Sequence, residues 1–253
     1  MFEVPGAVLY VEVDGAGPPL LSVSGSGAAL HERVLTLPPE LTERFTVAAY
    51  DHRGLGRSTC EDAPLSMGDF AADGFAVADA LGWTGFAVLG TSFGGMVALE
   101  MAVSQPERVT RLALCCTSSG GAGGSSFPLH ERPDPLEWLA LMDSRAQPRA
   151  ALAAMFGGRQ PPREPGYERQ LQARRTHDVW ERLPRVTAPT LVAAGAYDGI
   201  APLANSAAIA SRIPGARLEV FEGGHAFLHQ DARAWPVVCS FLSDADPTEG
   251  PLA

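Results

Sequence analysis

Between Leu20 and Cys115 the chain alternates short apolar runs with longer stretches of helical spacing, and this alternation restricts the fold more than any other feature of its 253 residues. The runs Leu20–Val23, Phe45–Tyr50, Phe86–Leu89 and Val109–Cys115 are almost continuously apolar, as strands buried on both faces must be. From Ser66 to Leu81, Met67, Phe70, Phe75, Val77, Ala78 and Leu81 fall near helical spacing, with Ser66 placed to cap the first turn. Gly94–Ser104 is a second helical stretch. A β-α-β-α-β order of this kind predicts an α/β fold: a mostly parallel central sheet flanked by helices on both faces. Val8–Val13 reads as a further strand ahead of a turn at 14–19.

The alternation stops at Ser118. The stretch Ser118–Ser126 holds four glycines and four serines, and its composition predicts a flexible hinge or loop. Arg-rich, Pro-broken helical segments follow at Leu136–Met142, Arg149–Phe156 and Glu168–Leu183. Strand and helix then alternate again at Thr190–Ala194, Leu203–Ile213, Arg217–Phe221 and Asp231–Leu242. Residues 1–117 and 186–243 therefore read as two parts of one core. Residues 118–185 read as a small helical cap inserted before the last two strands, and 244–253 as a disordered tail.

Composition removes several chemistries. All 19 basic side chains are arginine, so no lysine is available for a P-loop or a Schiff base. A net charge of −10 argues against nucleic-acid or anionic-membrane partners. No run approaches the length of a membrane span, and Met1–Pro5 lacks the positive and apolar regions of a secretory signal. The chain reads as a cytoplasmic enzyme. Cys60, Cys115, Cys116 and Cys239 show no metal-binding spacing, and Cys115 and Cys116 lie in an apolar run as buried thiols would. Gly25-Ser26-Gly27 lacks the third small residue of a dinucleotide fingerprint, because Leu30 stands there. No cofactor and no metal are expected.

The strand Phe86–Leu89 runs into Gly90-Thr91-Ser92-Phe93-Gly94, and a helical run follows at once. This is G-x-S-x-G in the setting it requires, a strand turning sharply into a helix. A nucleophile on such a turn has a strained backbone, and the residues two before and two after it have no room for side chains. Ser92 is the candidate nucleophile. The N–H of Phe93, at the start of the helix, is placed to meet a developing oxyanion.

Together with three further segments, the elbow resembles the α/β-hydrolase fold family. Asp51-His52-Arg53-Gly54-Leu55-Gly56-Arg57-Ser58 is similar to the family's D-x-R-G-x-G-x-S loop. Gly195-Ala196-Tyr197-Asp198, with Pro202 beyond it, resembles the segment that carries its acid, and Gly224-His225 the one that carries its base. The resemblance extends over nearly the whole chain. It is nearest to the branch of enol-lactonases, cofactor-free haloperoxidase-like esterases and small carboxylesterases. Its order implies a triad of Ser92, Asp198 and His225. The residues agree: Asp198 and His225 each follow a core strand at its C-terminal edge, where α/β sites gather. The strand ending Cys115-Cys116-Thr117-Ser118 offers no alternative carboxylate. His31, His52, His130 and His177 sit in contexts better suited to solvated or structural roles. His229 reads as a helix-start residue with no third ligand to make a metal site.

The resemblance implies a second oxyanion donor in Ser24-Gly25-Ser26-Gly27, with the Ser26 N–H as candidate. The family usually carries His-Gly at its first two positions, and Ser24 departs from that. Candidate pocket residues are Ser24, Gly25, Trp138, Met142 and Phe156, with the Phe93 side chain as a pocket wall. At least half of the cap arginines should be solvated, although any of them could meet a substrate carboxylate. The implied activity is a serine hydrolase cleaving a small-molecule carboxylic ester or lactone. A lyase, cyclase or isomerase using the same pocket stays open, as does a ligand-binding homologue with little turnover.

Overall fold

The computed structural model describes residues 1–32, 37–125, 140–145 and 165–243. Nine strands appear among them: β1 (Phe2–Val4), β2 (Ala7–Leu9), β3 (Val11–Asp14), β4 (Pro19–Val23), β5 (Thr46–Tyr50), β6 (Phe86–Thr91), β7 (Val109–Cys115), β8 (Thr190–Gly195) and β9 (Arg217–Phe221). The helices are α1 (Pro39–Arg44), α2 (Met67–Ala80), α3 (Phe93–Ser104), α4 (Pro165–Arg175), α5 (Leu203–Arg212), α6 (Phe227–Gln230) and α7 (Ala234–Ser243).

Strands β3 to β9 form one sheet in the order β3-β5-β4-β6-β7-β8-β9, parallel throughout except where β3 meets β5. Successive residues of each central strand point to opposite faces. Leu21, Val88, Leu112 and Val192 join α2, α3 and α5 in one apolar cluster. Leu20, Leu89, Ala113 and Leu191 join α1 and α7 in another. Each central strand thus serves two cores, which is why these runs are apolar throughout. The fold is the α/β-hydrolase architecture expected from the sequence.

Chain order places the site. From β4 the chain steps to β5 on one side, then returns to β6 on the other side of β4. Between the C-terminal ends of β4 and β6 lies the switch point at which doubly wound sheets bind ligands. The loop at Ser24 and the turn at Ser92 both open there.

Several expectations need adjustment. The strand read at Val8–Val13 is divided at Tyr10, whose N–H donates to Ser58 Oγ at 2.8 Å. Its first part pairs with the short β1 in a separate two-stranded sheet, and its second part pairs with β5. The helix read at Glu168–Leu183 ends at Arg175 and resumes as a 3-10 turn over Trp180–Arg185. The glycine-rich hinge is a packed junction over the residues described. Ser118 and Ser119 are buried, and the Val179 N–H donates to Ser119 O at 2.9 Å. Gly120 has φ +65°, and a Cβ there would stand 1.8 Å from the His177 carbonyl oxygen. Its glycine serves close approach, which composition alone cannot separate from flexibility. The helix read at Arg149–Phe156, most of the one at Leu136–Met142 and the tail at 244–253 lie outside the described residues.

Candidate active site

Ser92 sits where β6 ends and α3 begins, at φ 55° and ψ −116°. Ser92 and Cys116 are the two non-glycine residues at positive φ among those described. Such strain persists only where the surroundings hold it. Here the Ser92 N–H donates to Cys115 O at 2.8 Å, and Thr117 Oγ1 donates to Ser92 O at 2.7 Å. The elbow glycines are sterically obligatory. A Cβ on Gly90 would come within 2.5 Å of Gly94 O, and one on Gly94 within 2.0 Å of Val23 O. The second contact shows that the turn is pressed against the β4 loop.

The structure brings Ser92, Asp198 and His225 together in one hydrogen-bonded line. His225 Nε2 lies 3.0 Å from Ser92 Oγ, and His225 Nδ1 lies 2.7 Å from Asp198 Oδ2. A carboxylate can only accept, so Nδ1 carries the proton and Nε2 accepts from the serine hydroxyl. The other Asp198 oxygen accepts the N–H groups of Ile200 and Ala201 at 2.8 and 2.9 Å. Both carboxylate oxygens are occupied, and the Asp198 side chain is fully buried.

The Asp198 and His225 loops are bracketed by residues that sequence reasoning gave no such role. Leu141 O accepts the Gly199 N–H at 2.9 Å, Met142 O accepts the His225 N–H at 2.6 Å, and the Ser144 N–H donates to Tyr197 O at 3.1 Å. Met142, a pocket candidate, is buried with Ile200 and Ala226 beside the same loops. Backbone carbonyls make the bracket, so residue type carried no signal for it. Trp138 and Phe156 lie outside the described residues.

The loop after β4 meets Ser92 directly: a Cβ on Gly25 would lie 3.5 Å from Ser92 Cβ. Among the described residues neither the Ser26 N–H nor the Phe93 N–H finds an acceptor. At the start of this loop His52 Nε2 lies 3.0 Å from Ser24 O and donates to it. His52 is fully buried, and burial pulls its pKa down to about 4, so the ring is neutral. It stands edge-on to Phe93 and Phe70 at centroid distances of 5.3 and 5.8 Å. The Phe93 ring is only 1% exposed and belongs to this aromatic packing, so its side chain is core and not the pocket wall expected.

The rest of the arginine-glycine loop is scaffold. Arg53 makes a buried two-point ion pair with Asp73, its Nε at 2.6 Å from Oδ2 and its Nη2 on Oδ1. Asp51 accepts the N–H groups of Leu30 and Arg57, at 2.6 and 2.9 Å. Ser58 Oγ donates to Asp51 O at 2.7 Å. These contacts tie the loop under the turn that follows β4.

Cys116 Sγ, an Asp198 oxygen and a His225 nitrogen lie within 4.8 Å of one another. Metal ligation needs a thiolate. Burial and the neighbouring Asp198 push the Cys116 thiol well above its ordinary value, and Asp198 and His225 are already bonded to each other. The donor set does not fit a metal centre. His31 and His229 are exposed, and His177 is buried with Nε2 3.2 Å from Ser118 O. Among the described cap arginines Arg145 and Arg175 are exposed, as expected, and ion pairs are also made. Arg169 pairs with Asp62 at 2.6 Å, and Arg145 pairs with Glu222 while stacking 3.5 Å over the Tyr197 ring.

Comparison with known proteins agrees with this fold. The family profile of the α/β hydrolase fold matches residues 18–151. RutD of Azorhizobium caulinodans, to which a carbamate hydrolase activity is ascribed, is 31% identical over 249 residues, covering 87% of this chain and 89% of its own. The chain belongs to the α/β hydrolase fold family. A hydrolase from Pseudomonas aeruginosa PA01 is 31% identical, with a TM-score of 0.78 over 96% of this chain and 97% of that one. The enol-lactonase of Burkholderia xenovorans LB400 shares the fold at 24% identity, with a TM-score of 0.78 over 93% and 96% of the two chains. The chain is a hydrolase of this family. No helix among the described residues is long and apolar enough to cross a membrane.

Proposed function

We propose that the chain is a serine hydrolase that cleaves a small carboxylic ester or lactone through an acyl-enzyme. The observation that carries the reading is the continuous line from Ser92 Oγ through His225 to Asp198, at 3.0 and 2.7 Å. Ser92 Oγ attacks the carbonyl carbon as its proton passes to His225 Nε2. The carbonyl electrons move onto oxygen, where the Ser26 and Phe93 N–H groups stabilise the charge. Collapse breaks the bond to the alkoxy oxygen, which takes the proton from Nε2, and the alcohol leaves. Water then gives a proton to Nε2, attacks the acyl carbon and releases the acid, returning the proton to Ser92. Asp198 holds the Nδ1 proton throughout and stabilises the imidazolium. The mechanism calls on side chains and backbone N–H groups alone.

A second reading follows from the 31% identity to RutD. A carbamate presents the same carbonyl to Ser92, and the acyl-enzyme becomes a carbamoyl-enzyme. Nitrogen donation makes that intermediate less electrophilic, so slow deacylation with a burst of released product marks this case.

One experiment tests both. Wild type and Ser92→Ala are assayed side by side on p-nitrophenyl esters, lactones, thioesters and carbamates, and both are exposed to a fluorophosphonate probe. Wild type should turn over an ester or lactone and be labelled, and Ser92→Ala should do neither. An active wild type that resists labelling, or a Ser92→Ala variant with wild-type turnover, would overturn the mechanism. Preference for carbamates with a burst would move the substrate class and leave the mechanism standing.

A further inference from the structure

We infer that Gln170, on helix α4, is a positioning residue of the oxyanion loop: its side-chain oxygen holds the Gly27 N–H and so fixes the turn that presents the Ser26 N–H. The inference rests on the oxyanion role proposed above for Ser26.

Gln170 is 0% exposed, and its Oε1 lies 2.9 Å from Gly27 N, a bond between positions 143 residues apart. The amide is oriented oxygen-first, because a backbone N–H needs an acceptor. Its Nε2 is buried and has no partner among the described residues. Burying an amide that satisfies only one of its two ends is costly, and a leucine or methionine of similar volume would avoid that cost. The Gly27 bond is therefore what a glutamine provides here and an apolar side chain does not.

The bond matters because of where Gly27 stands. At the other end of the loop His52 Nε2 holds Ser24 O at 3.0 Å. Ser24 and Gly27 are thus pinned by two side chains. The residues between them are Gly25, packed against Ser92, and Ser26, whose N–H is left to the substrate. The loop's own closure is weak, an Ala28 N–H to Gly25 O contact of 3.4 Å. Gly27 is at φ +70°, so the turn does not relax into an ordinary extended path without moving its N–H groups.

Both pins are referred to the same loop. His52 belongs to the segment Asp51–Ser58. Helix α4 is seated on that segment by the Gly166 N–H to Gly54 O bond at 3.2 Å and by the packing of Tyr167 and Leu171 on Leu55. The position of α4 is thereby linked to transition-state stabilisation.

The test uses the full chain and two probes, p-nitrophenyl acetate and a fluorophosphonate. Gln170→Met removes the acceptor at near-constant volume, and Gln170→Glu keeps an acceptor oxygen at the same reach. Gln170→Met should lower kcat for p-nitrophenyl acetate by about 10- to 100-fold with KM little changed, the pattern of an interaction made in the transition state. The fluorophosphonate labelling rate should fall by a similar factor, and Gln170→Glu should recover most of both. Should Gln170→Met not fold, Gln170→Leu is read by the same criteria. Rates within twofold of wild type in the folded apolar variant overturn the inference. So do equal losses in Gln170→Met and Gln170→Glu, which would mark a packing role. The reading of the site is checked separately by Ser92→Ala: turnover and labelling that survive there refute that reading, and the inference falls with it.

Discussion

Two buried imidazoles make the fold acid-sensitive in a narrow and calculable window. Burial pulls the pKa of His52 and of His177 from the ordinary 6.5 to about 4 in the folded chain. The folded state therefore keeps both rings neutral, while the unfolded chain takes up protons once the pH falls below 6.5. Stability is complete above 6.5, falls as the pH drops toward 4, and levels off below that. A shift of about 2.5 units corresponds to about 3 kcal/mol per ring when fully expressed, and to about 2 kcal/mol per ring at pH 5. Together the two rings cost about 4 kcal/mol at pH 5, a large share of the roughly 5–15 kcal/mol that holds a typical domain. The assay is urea unfolding at pH 7.5 and pH 5.0 for wild type, His52→Gln and His177→Gln. Glutamine keeps a donor for Ser24 O or Ser118 O and does not titrate. Each variant should lose about 2 kcal/mol of the wild-type difference between the two pH values; burial also lowers the His229 pKa, and that contribution is common to all three proteins. Burial also raises the Asp73 carboxyl against the pull of Arg53. That effect has the opposite sign, is common to all three proteins, and cancels in the comparison. Variants with the full wild-type pH difference would refute the assignment of the loss to these rings.

Two substitutions probe the scaffold. Gly94→Ala places a Cβ 2.0 Å from Val23 O and 2.6 Å from Ser24 O, forcing the elbow and the oxyanion loop apart. It should reduce kcat for p-nitrophenyl acetate by about 100-fold or more, and overpacking should cost about 1–3 kcal/mol in urea unfolding. Arg53→Ala leaves Asp73 buried without its partner and should destabilise by about 3–5 kcal/mol, whereas Arg53→Met combined with Asp73→Leu should recover most of that loss. Paired urea titrations of the single and double variants distinguish the two outcomes.

What could be read from sequence and what could not follow from the range of the interactions. The elbow is local: β6, the turn and α3 are contiguous, and the crowding around Gly90 and Gly94 is a property of that turn. Helix α2 is similarly local, and its Ser66 N-cap forms the full capping box with Asp69. The β1–β2 hairpin escaped because three-residue strands are too short for periodicity to register. His52 gave no sign of its contact with Ser24, since the partner is a carbonyl 28 positions away. Gln170 was missed for the same reason, and Met142 was singled out for its side chain when its carbonyl holds His225. The glycines at 120–124 carried a misleading signal, because flexible linkers and tight junctions draw on the same residue.

These long-range contacts share one feature with a consequence for how such a site can diverge. The His225 N–H finds its acceptor in Met142 O, the Gly199 N–H beside Asp198 in Leu141 O, and the Gly27 N–H beside Ser26 in Gln170 Oε1. All three acceptors come from the segment between β7 and β8, and all three donors from loops of the sheet edge. Two acceptors are backbone carbonyls, which tolerate almost any side chain at their positions. Residues such as Met142 can therefore change identity, and with it the space beside the base, while the carbonyl continues to hold His225. Gln170 has no such freedom, because its acceptor is the side chain itself. Substitution along this segment can change the side chains beside His225 and leave its hydrogen bond in place, provided that the path of the backbone at 141–144 and the amide at 170 are kept.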